Sequence, residues 1–303
     1  MFNYIQKNLF YIKQETIKLV GSTYTFYGFI FFLQPAENIL PPELSVLHRI
    51  GLGVLYLLIT IIVSFAIKVI SLYRSNCYLY LKIKDTHYIY VHYGDVFDAN
   101  IIKNSITKNS DAENGRNIII PTNCCFDTKV DDVQIAKGSL QGIAINKMIA
   151  HGISETEISQ RIKQNLISQK IDYETLDKKE KPKGNLNSYP VGTIATINGF
   201  DNIRFMFLAL VKFDKDLHSI RPSPGNFHLA LGRMIKNMSR NSEQYPIILP
   251  IIGSGLSNSR LSEQNLLEYI LKLLKLHQNE FNCDIHVVVY KDKKKDISIT
   301  SAI

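Results

Sequence analysis

The sequence predicts an N-terminal membrane hairpin followed by an α/β sandwich around a mixed sheet. Three observations carry this. Ile50–Ile67 (IGLGVLYLLITIIVSFAI) holds no charged residue over 18 positions, the lower end of what crosses a bilayer. From Cys77 onward, strand-like apolar runs alternate with helix-like amphipathic ones. Near the end, Pro246–Ser257 (PIILPIIGSGLS) lacks the alternation of a half-exposed strand, stops at a Gly-Ser-Gly turn and is followed by the helix-like Leu261–Leu276.

The 303 residues suffice for one or two domains with a proper core. The expected division is a membrane hairpin over 1–75, with helices over about 17–34 and 50–72, and a soluble domain over 76–303. Val69, Ile70 and Leu72 extend the second span past Lys68, whose long side chain can snorkel to the interface. The first span, Ile17–Leu33, is interrupted by Lys18 and Gly21; a buried core helix is the competing reading of each segment. Lys7, Lys13 and Lys18 precede the first segment, and Lys68, Arg74, Lys82 and Lys84 follow the second. The loop 34–49 between them holds Glu37, Glu43 and a single cation, Arg49. The positive-inside rule therefore puts both ends in the cytoplasm. No small-residue cleavage site follows the apolar run, and that run lies too far from Met1 for a signal peptide.

Cys77–Ile83 and Thr86–Tyr93 read as strands, the second with period-two alternation, and Gly94–Asp98 as a turn. Asn117–Ile120 is a short apolar strand running into Pro121-Thr122-Asn123. Ser139–Ala150 is a glycine-containing turn that opens a helix. Ser154 starts another, with Glu157 completing a capping box and Ile158, Ile162 and Leu166 on one face. Asp172–Tyr189, crowded with charge, reads as a solvated loop. Val191–Ile197 and Ile203–Val211 pair around Asn198-Gly199, Phe227–Met238 is an amphipathic helix, and Ile285–Tyr290 is a last strand.

Polar groups fall at strand ends: Asp95, Asn123, and the turns Gly138–Gly142 and Gly253–Ser257. Ligands of open α/β sheets bind outside the carboxyl ends of strands, and two glycine-serine turns suit two phosphates approaching bare backbone N–H groups. There is no Walker sequence and no GxGxxG. The formal net charge of +8 comes from dispersed lysines without an aromatic-interleaved stripe, which speaks against nucleic acid and suits an anionic membrane face. The four cysteines and eight histidines show no metal-ligand spacing. Cys124-Cys125 reads as buried packing or as a nucleophile without an identifiable base. Lys291–Lys295 reads as a solvated tail or a contact with anionic lipid.

In order, GDVFD, NIIIPTNCCFDTKVDD, AKGSLQG, YPVGTIATI and LPIIGSGLS resemble a macro domain, the ADP-ribose-binding fold. The resemblance covers roughly residues 77–303. It is closest to the membrane-anchored macro effectors of bacterial Thoeris-type anti-phage systems, which the two N-terminal segments also fit. It implies a three-layer α/β/α domain with a mixed sheet. It also implies Asp95 and Val96 at the adenine, Gly138, Ser139, Leu140 and Gly142 as the first phosphate loop, and Gly253, Ser254, Gly255, Leu256 and Ser257 as the second. Asn123 falls near the distal ribose, with Phe126, Asp127 and Asp132 on the site wall and Asp131 beside them. Hydrolases of the family carry two asparagines, as in Asn-Ala-Ala-Asn, whereas here Phe126 stands where the second is expected. That departure favours binding over hydrolysis, with no cofactor and no metal.

What the resemblance implies is a multi-pass protein of the bacterial inner membrane. Its partners are an ADP-ribose derivative made from NAD, the TIR-domain enzyme that makes it, the lipid bilayer, and further copies of the chain on activation. The alternatives are an ADP-ribosyl hydrolase and a membrane-tethered ADP-ribose reader.

Overall fold

The computed structural model describes residues 2–33, 45–84, 86–103, 105, 115–220, 222–253 and 261–300. The chain divides into two compact units, Met1–Asn76 and Cys77–Ile303.

The first unit is helical: α1 (Phe2–Lys7), α2 (Leu9–Leu33) and α3 (Val46–Arg74). Ser45 caps α3 by accepting from the His48 N–H. α2 and α3 run antiparallel, with Glu15 paired to Lys68 at 3.4 Å and the rings of Tyr24 and Tyr27 set edge-on against Tyr56. The Tyr4 hydroxyl donates to the Leu72 carbonyl. Among the described residues one helix, Leu47–Arg74, is long and apolar enough to cross a membrane. Only 6% of its apolar window is buried, where the core helix of a globular domain would be mostly buried. The expected two-helix hairpin is not shown: among the described residues α3 alone meets that test.

The second unit is three-layered. Its strands are β1 (Cys77–Ile83), β2 (His87–Gly94), β3 (Arg116–Asn123), β4 (Glu174–Thr175), β5 (Asn187–Ser188), β6 (Ile194–Asn198), β7 (Ile203–Phe213), β8 (Ser219–Ile220), β9 (Ile247–Pro250) and β10 (Ile285–Tyr290). The main sheet runs β1-β2-β10-β9-β3-β7-β6, with β8 on β7. Pairing is parallel from β2 through β7, whereas β1, β6 and β8 pair antiparallel. Its helices are α4 (Asn100–Lys103), α5 (Leu140–Ala150), α6 (Glu155–Ser168), α7 (Pro224–Asn241) and α8 (Glu263–Leu276).

Helices cover both faces, which is why the inner strands read as unbroken apolar runs. Along β7, Phe205, Phe207 and Ala209 join the core under α4, α5 and α6. Their neighbours Met206, Leu208 and Leu210 join the core under α7 and α8. The alternation in β2 likewise separates two buried faces rather than a wet one from a dry one: Ile89, Tyr90, Val91, His92 and Tyr93 are all buried. The helices from α5 to α8 start alike, with Ser139, Ser154, Ser223 and Ser262 accepting from the backbone N–H three residues on. Each such cap stabilises by about 1 kcal/mol.

Three local expectations change. The capping box at Ser154 is half made, because the Glu157 carboxylate turns to Arg161. The β6–β7 hairpin forms around the expected position, but β6 keeps Asn198, so the connection is the four-residue loop 199–202, closed by the Gly199 N–H on the Ile203 carbonyl. The segment 172–189 is not simply solvated. It forms the β4–β5 ladder and carries Lys181 into the interior, where its side chain is 1% exposed.

Candidate functional site

The carboxyl ends of the parallel strands open onto one cavity of about 1230 Å³. Gly94 ends β2, Asn123 ends β3, Pro250 ends β9 and Tyr290 ends β10, and all four line it. Parallel strands all point their carboxyl ends the same way, so the loops that leave them converge on one crevice. Asp95, Val96, Asn123, Asp132, Gly138, Ser139 and Leu140 lie on the wall. Phe126, Asp127 and Gly142 stand behind it, and Gly253 follows β9 in the left-handed region (φ 91°). Ser254, Gly255, Leu256 and Ser257 lie outside the described residues.

At one end the Asp95 carboxylate accepts from the Phe97 N–H at 3.0 Å and faces solvent, while Val96 beside it is buried. The turn before α5, also on the wall, is braced by its own carboxylates. Asp131 accepts from the N–H groups of Val133 and Gln134, and Asp132 from that of Lys137 at 2.8 Å. Those backbone donors hold both carboxyls below their ordinary range, with the Lys137 ammonium adding to the effect at Asp132. Ser139 donates to the Ala136 carbonyl and accepts from the Gly142 N–H, which closes the turn. Gly142 is required by packing, because a Cβ there would overlap the Ala136 carbonyl oxygen. A Cβ on Gly138 would meet nothing within 4 Å, so the wall is open in front of that backbone.

At the far end Asn123 begins a strained turn. Its Oδ1 accepts from the N–H groups of Cys125 (3.0 Å) and Asp127 (3.4 Å), while its Nδ2 is buried without a partner among the described residues. Phe126 takes a φ of 51°, unusual for a bulky residue, and packs edge-on against Tyr189 in the core. The turn is held from behind by a network that sequence inspection misses. Lys181 Nζ lies 2.9 and 3.1 Å from the two Asp127 oxygens and donates to the carbonyls of Lys183 and Asn185. The Asn185 amide donates to the carbonyls of Cys125 and Phe126, and Gln141 donates to that of Asp127. Burial pushes the Asp127 carboxyl up, opposed by Lys181 and by the Asn185 N–H. The arrangement is that of a buried ion pair whose hydrogen bonds offset part of the cost of desolvation. Gly184 closes this knot at φ 82°, where a Cβ would overlap Asp127 Oδ1.

Burial raises the Cys124 thiol to about 12 and the Cys125 thiol to about 11, which makes both poor nucleophiles. Asp214, Asp216 and His218 bring potential ligand atoms within 4.8 Å of one another. The Asp214 carboxylate already accepts from the N–H groups of Asp216 and His218, so the group closes the turn into β8. His92 and His286, on neighbouring strands, share a 3.0 Å contact with Tyr90 stacked on His286. No spacing rule along one chain segment finds such a pair. The lysine cluster is not a solvated tail. Lys293 lines the cavity, Lys294 lies over the Tyr93 ring, and Ile297–Thr300 beyond them is buried.

The model of the family described as "Thoeris protein ThsA, Macro domain" matches residues 89–290. A Thoeris protein ThsA from Bacillus amyloliquefaciens (strain Y2) is 25% identical over 186 residues, 59% of this chain and 59% of its own length. This chain therefore spans less than two thirds of that relative. Among solved structures, an Oceanobacillus iheyensis macrodomain with ADP aligns at 12% identity and a TM-score of 0.46, covering 75% of this chain and 96% of that one. The same organism's macrodomain with MES bound aligns at 13% identity and a TM-score of 0.45, covering 72% of this chain and 90% of that one. A likeness at that score bears no weight of its own. The match of the family model across two thirds of the chain does: this protein belongs to the ThsA macro-domain family of Thoeris systems.

Proposed function

We propose that this chain is a membrane effector of anti-phage defence. Its macro domain binds an ADP-ribose-type nucleotide that a TIR-domain enzyme makes from NAD, and binding drives self-association and disruption of the membrane. The observation that carries the reading is the cavity at the strand ends. Asp95 follows β2 and Asn123 ends β3, three strands away in the sheet, and both line the cavity together with Ser139 and the open backbone of Gly138; Nδ2 of Asn123 is buried without a partner among the described residues. An elongated ligand with a hydrogen-bonding base, a central pyrophosphate and a terminal ribose fits that sequence of groups. The ThsA family supports the defence context and the exposed apolar surface of α3 supports the bilayer. The two-span topology with cytoplasmic ends rests on the charge distribution alone. Binding can act on the membrane only if the ligand prefers one assembly state, and association of copies is the simplest such route.

Binding without turnover is favoured by the walls around Asn123. Pro121, Val211 and Phe213 are apolar, and the two nearest cysteines are held as neutral thiols. Calorimetry of the purified full chain with ADP-ribose is expected to show binding. Gly138→Glu, which fills the open wall with a like charge, is expected to remove it while the protein still reaches the membrane fraction. Normal binding by Gly138→Glu sinks the site. Repeated turnover of an ADP-ribosylated protein, lost in Asn123→Ala, moves the assignment to a hydrolase. Toxicity of the full chain without a TIR partner moves it away from a triggered effector.

A further inference from the structure

We infer that Lys293 is an anion-pairing side chain of this cavity and that Glu263 is the resting counterion a ligand displaces. The inference rests on the nucleotide-binding reading above and adds a residue that neither the glycine turns nor the sequence pattern supplies.

Four carboxylates line the cavity: Asp95, Asp132, Asp216 and Glu263. Among the described lining residues Lys293 is the one lysine or arginine. Among those described residues a ligand carrying two phosphates thus meets more carboxylates than lysine or arginine side chains. Position makes that cation useful. In the sheet, β10 lies between β2, which leads to Asp95, and β9, which leads to Gly253. Lys293 stands three residues past the end of β10, and so at the carboxyl edge between those two strands.

The segment that carries it is anchored on both sides. Ahead of it, β10 is buried except for its last residue. Behind it, the Ile297 carbonyl accepts from the Tyr93 hydroxyl at 2.6 Å, and the Ser298 N–H donates to Gln264 Oε1 at 2.7 Å. The first turn of α8 therefore grips this segment twice, by Gln264 on Ser298 and by Glu263 on Lys293 at 3.0 Å. A lysine on a fixed stem loses less freedom on pairing with an anion than one on a loose tail. Its side chain remains 46% exposed and that of Glu263 29% exposed, so the pair is screened and can exchange partners. A phosphate that takes Lys293 releases Glu263 to water and frees one of the two grips on the segment.

The test uses the purified full chain and ADP-ribose as the probe, with affinity measured at two ionic strengths. Lys293→Gln is expected to bind about 5- to 10-fold more weakly and to flatten the salt dependence. Lys293→Arg is expected to keep most of the affinity. Glu263→Gln removes both the competing counterion and a like charge, and is expected to bind about 2- to 5-fold more tightly. Lys291→Gln and Lys295→Gln, in the same cluster but off the cavity wall, are expected to change nothing. Wild-type binding with Lys293→Gln and Glu263→Gln both unchanged overturns this inference and leaves the nucleotide reading standing. An equal loss in the Lys291 and Lys295 variants also overturns it, because the effect is then the general field of the cluster. Absence of any ADP-ribose binding by the unsubstituted chain overturns both.

Discussion

Two lysine–carboxylate pairs flank the cavity, and their separations barely differ: 2.9 Å for Lys181–Asp127 and 3.0 Å for Lys293–Glu263. Burial separates them. Both side chains of the first pair are 1% exposed, and five further hydrogen bonds tie the pair and Asn185 to the surrounding backbone. The second pair is partly wet and makes one link. A buried charge that loses its partner cannot recover its hydration, whereas an exposed one simply returns to water. Equal distances thus describe a rivet in one place and a contact open to exchange in the other.

The largest effect that would sharpen this contrast is on Lys181→Met, which strands the Asp127 carboxylate. We expect a loss of about 3–5 kcal/mol of stability, read as a lower melting temperature, with much of it restored when Asp127→Leu is added. A double variant no more stable than Lys181→Met would break the comparison, since the pair would then matter as packing alone.

A buried pair with no opposite charge in it comes next. Burial lowers His92 to about 4 and His286 in the same direction, and the rings face each other and Tyr90. The unfolded chain takes up protons near pH 6.5, ahead of the folded one, so this stability is complete above that pH and is lost as pH falls toward 4. A shift of that size corresponds to on the order of 3 kcal/mol for His92. Melting temperatures between pH 7.5 and 4.5 check it, and His92→Gln should flatten the slope.

Gly184→Ala, with its Cβ against Asp127 at a φ that side chains resist, is expected to cost about 2 kcal/mol. The smallest effect falls on Lys293→Gln, which should lose no more than about 0.5 kcal/mol of stability in the same melting experiment. A large loss there would erase the distinction between the two pairs.

The same distinction explains what the sequence made legible. The strands at Ile118–Ile120, Phe205–Leu210 and Ile247–Leu249 announced themselves, because burial on both faces demands continuous apolar residues. The serine caps were readable because capping is local. Asp95, Asn123 and the Gly138 turn were readable as polar groups placed just after such strands, and they do reach one wall. Lys181 and Lys293 were not. Each sits in a charged stretch that looks solvated, and each acquires its place from a carboxylate far along the chain, 54 residues away for Lys181. Phe126 and Asp127 misled in the opposite sense: their neighbourhood in sequence suggested the wall, but the turn at φ 51° carries them behind it. Four residues of the second glycine turn, Ser254 to Ser257, lie outside the described residues.

The Asn123 amide has a fixed polarity. Two backbone N–H groups point at its oxygen, which settles which end of the amide is which and leaves the buried NH₂ group without a partner among the described residues, on a residue that lines the cavity. The residue can therefore only give a hydrogen bond. On the proposed nucleotide reading, a group that meets this amide arrives with a lone pair first, as a hydroxyl or carbonyl oxygen does, and one offering only protons finds nothing to receive them. On that reading discrimination by Asn123 is set by direction rather than by charge, and the backbone N–H groups of Cys125 and Asp127 fix it in advance.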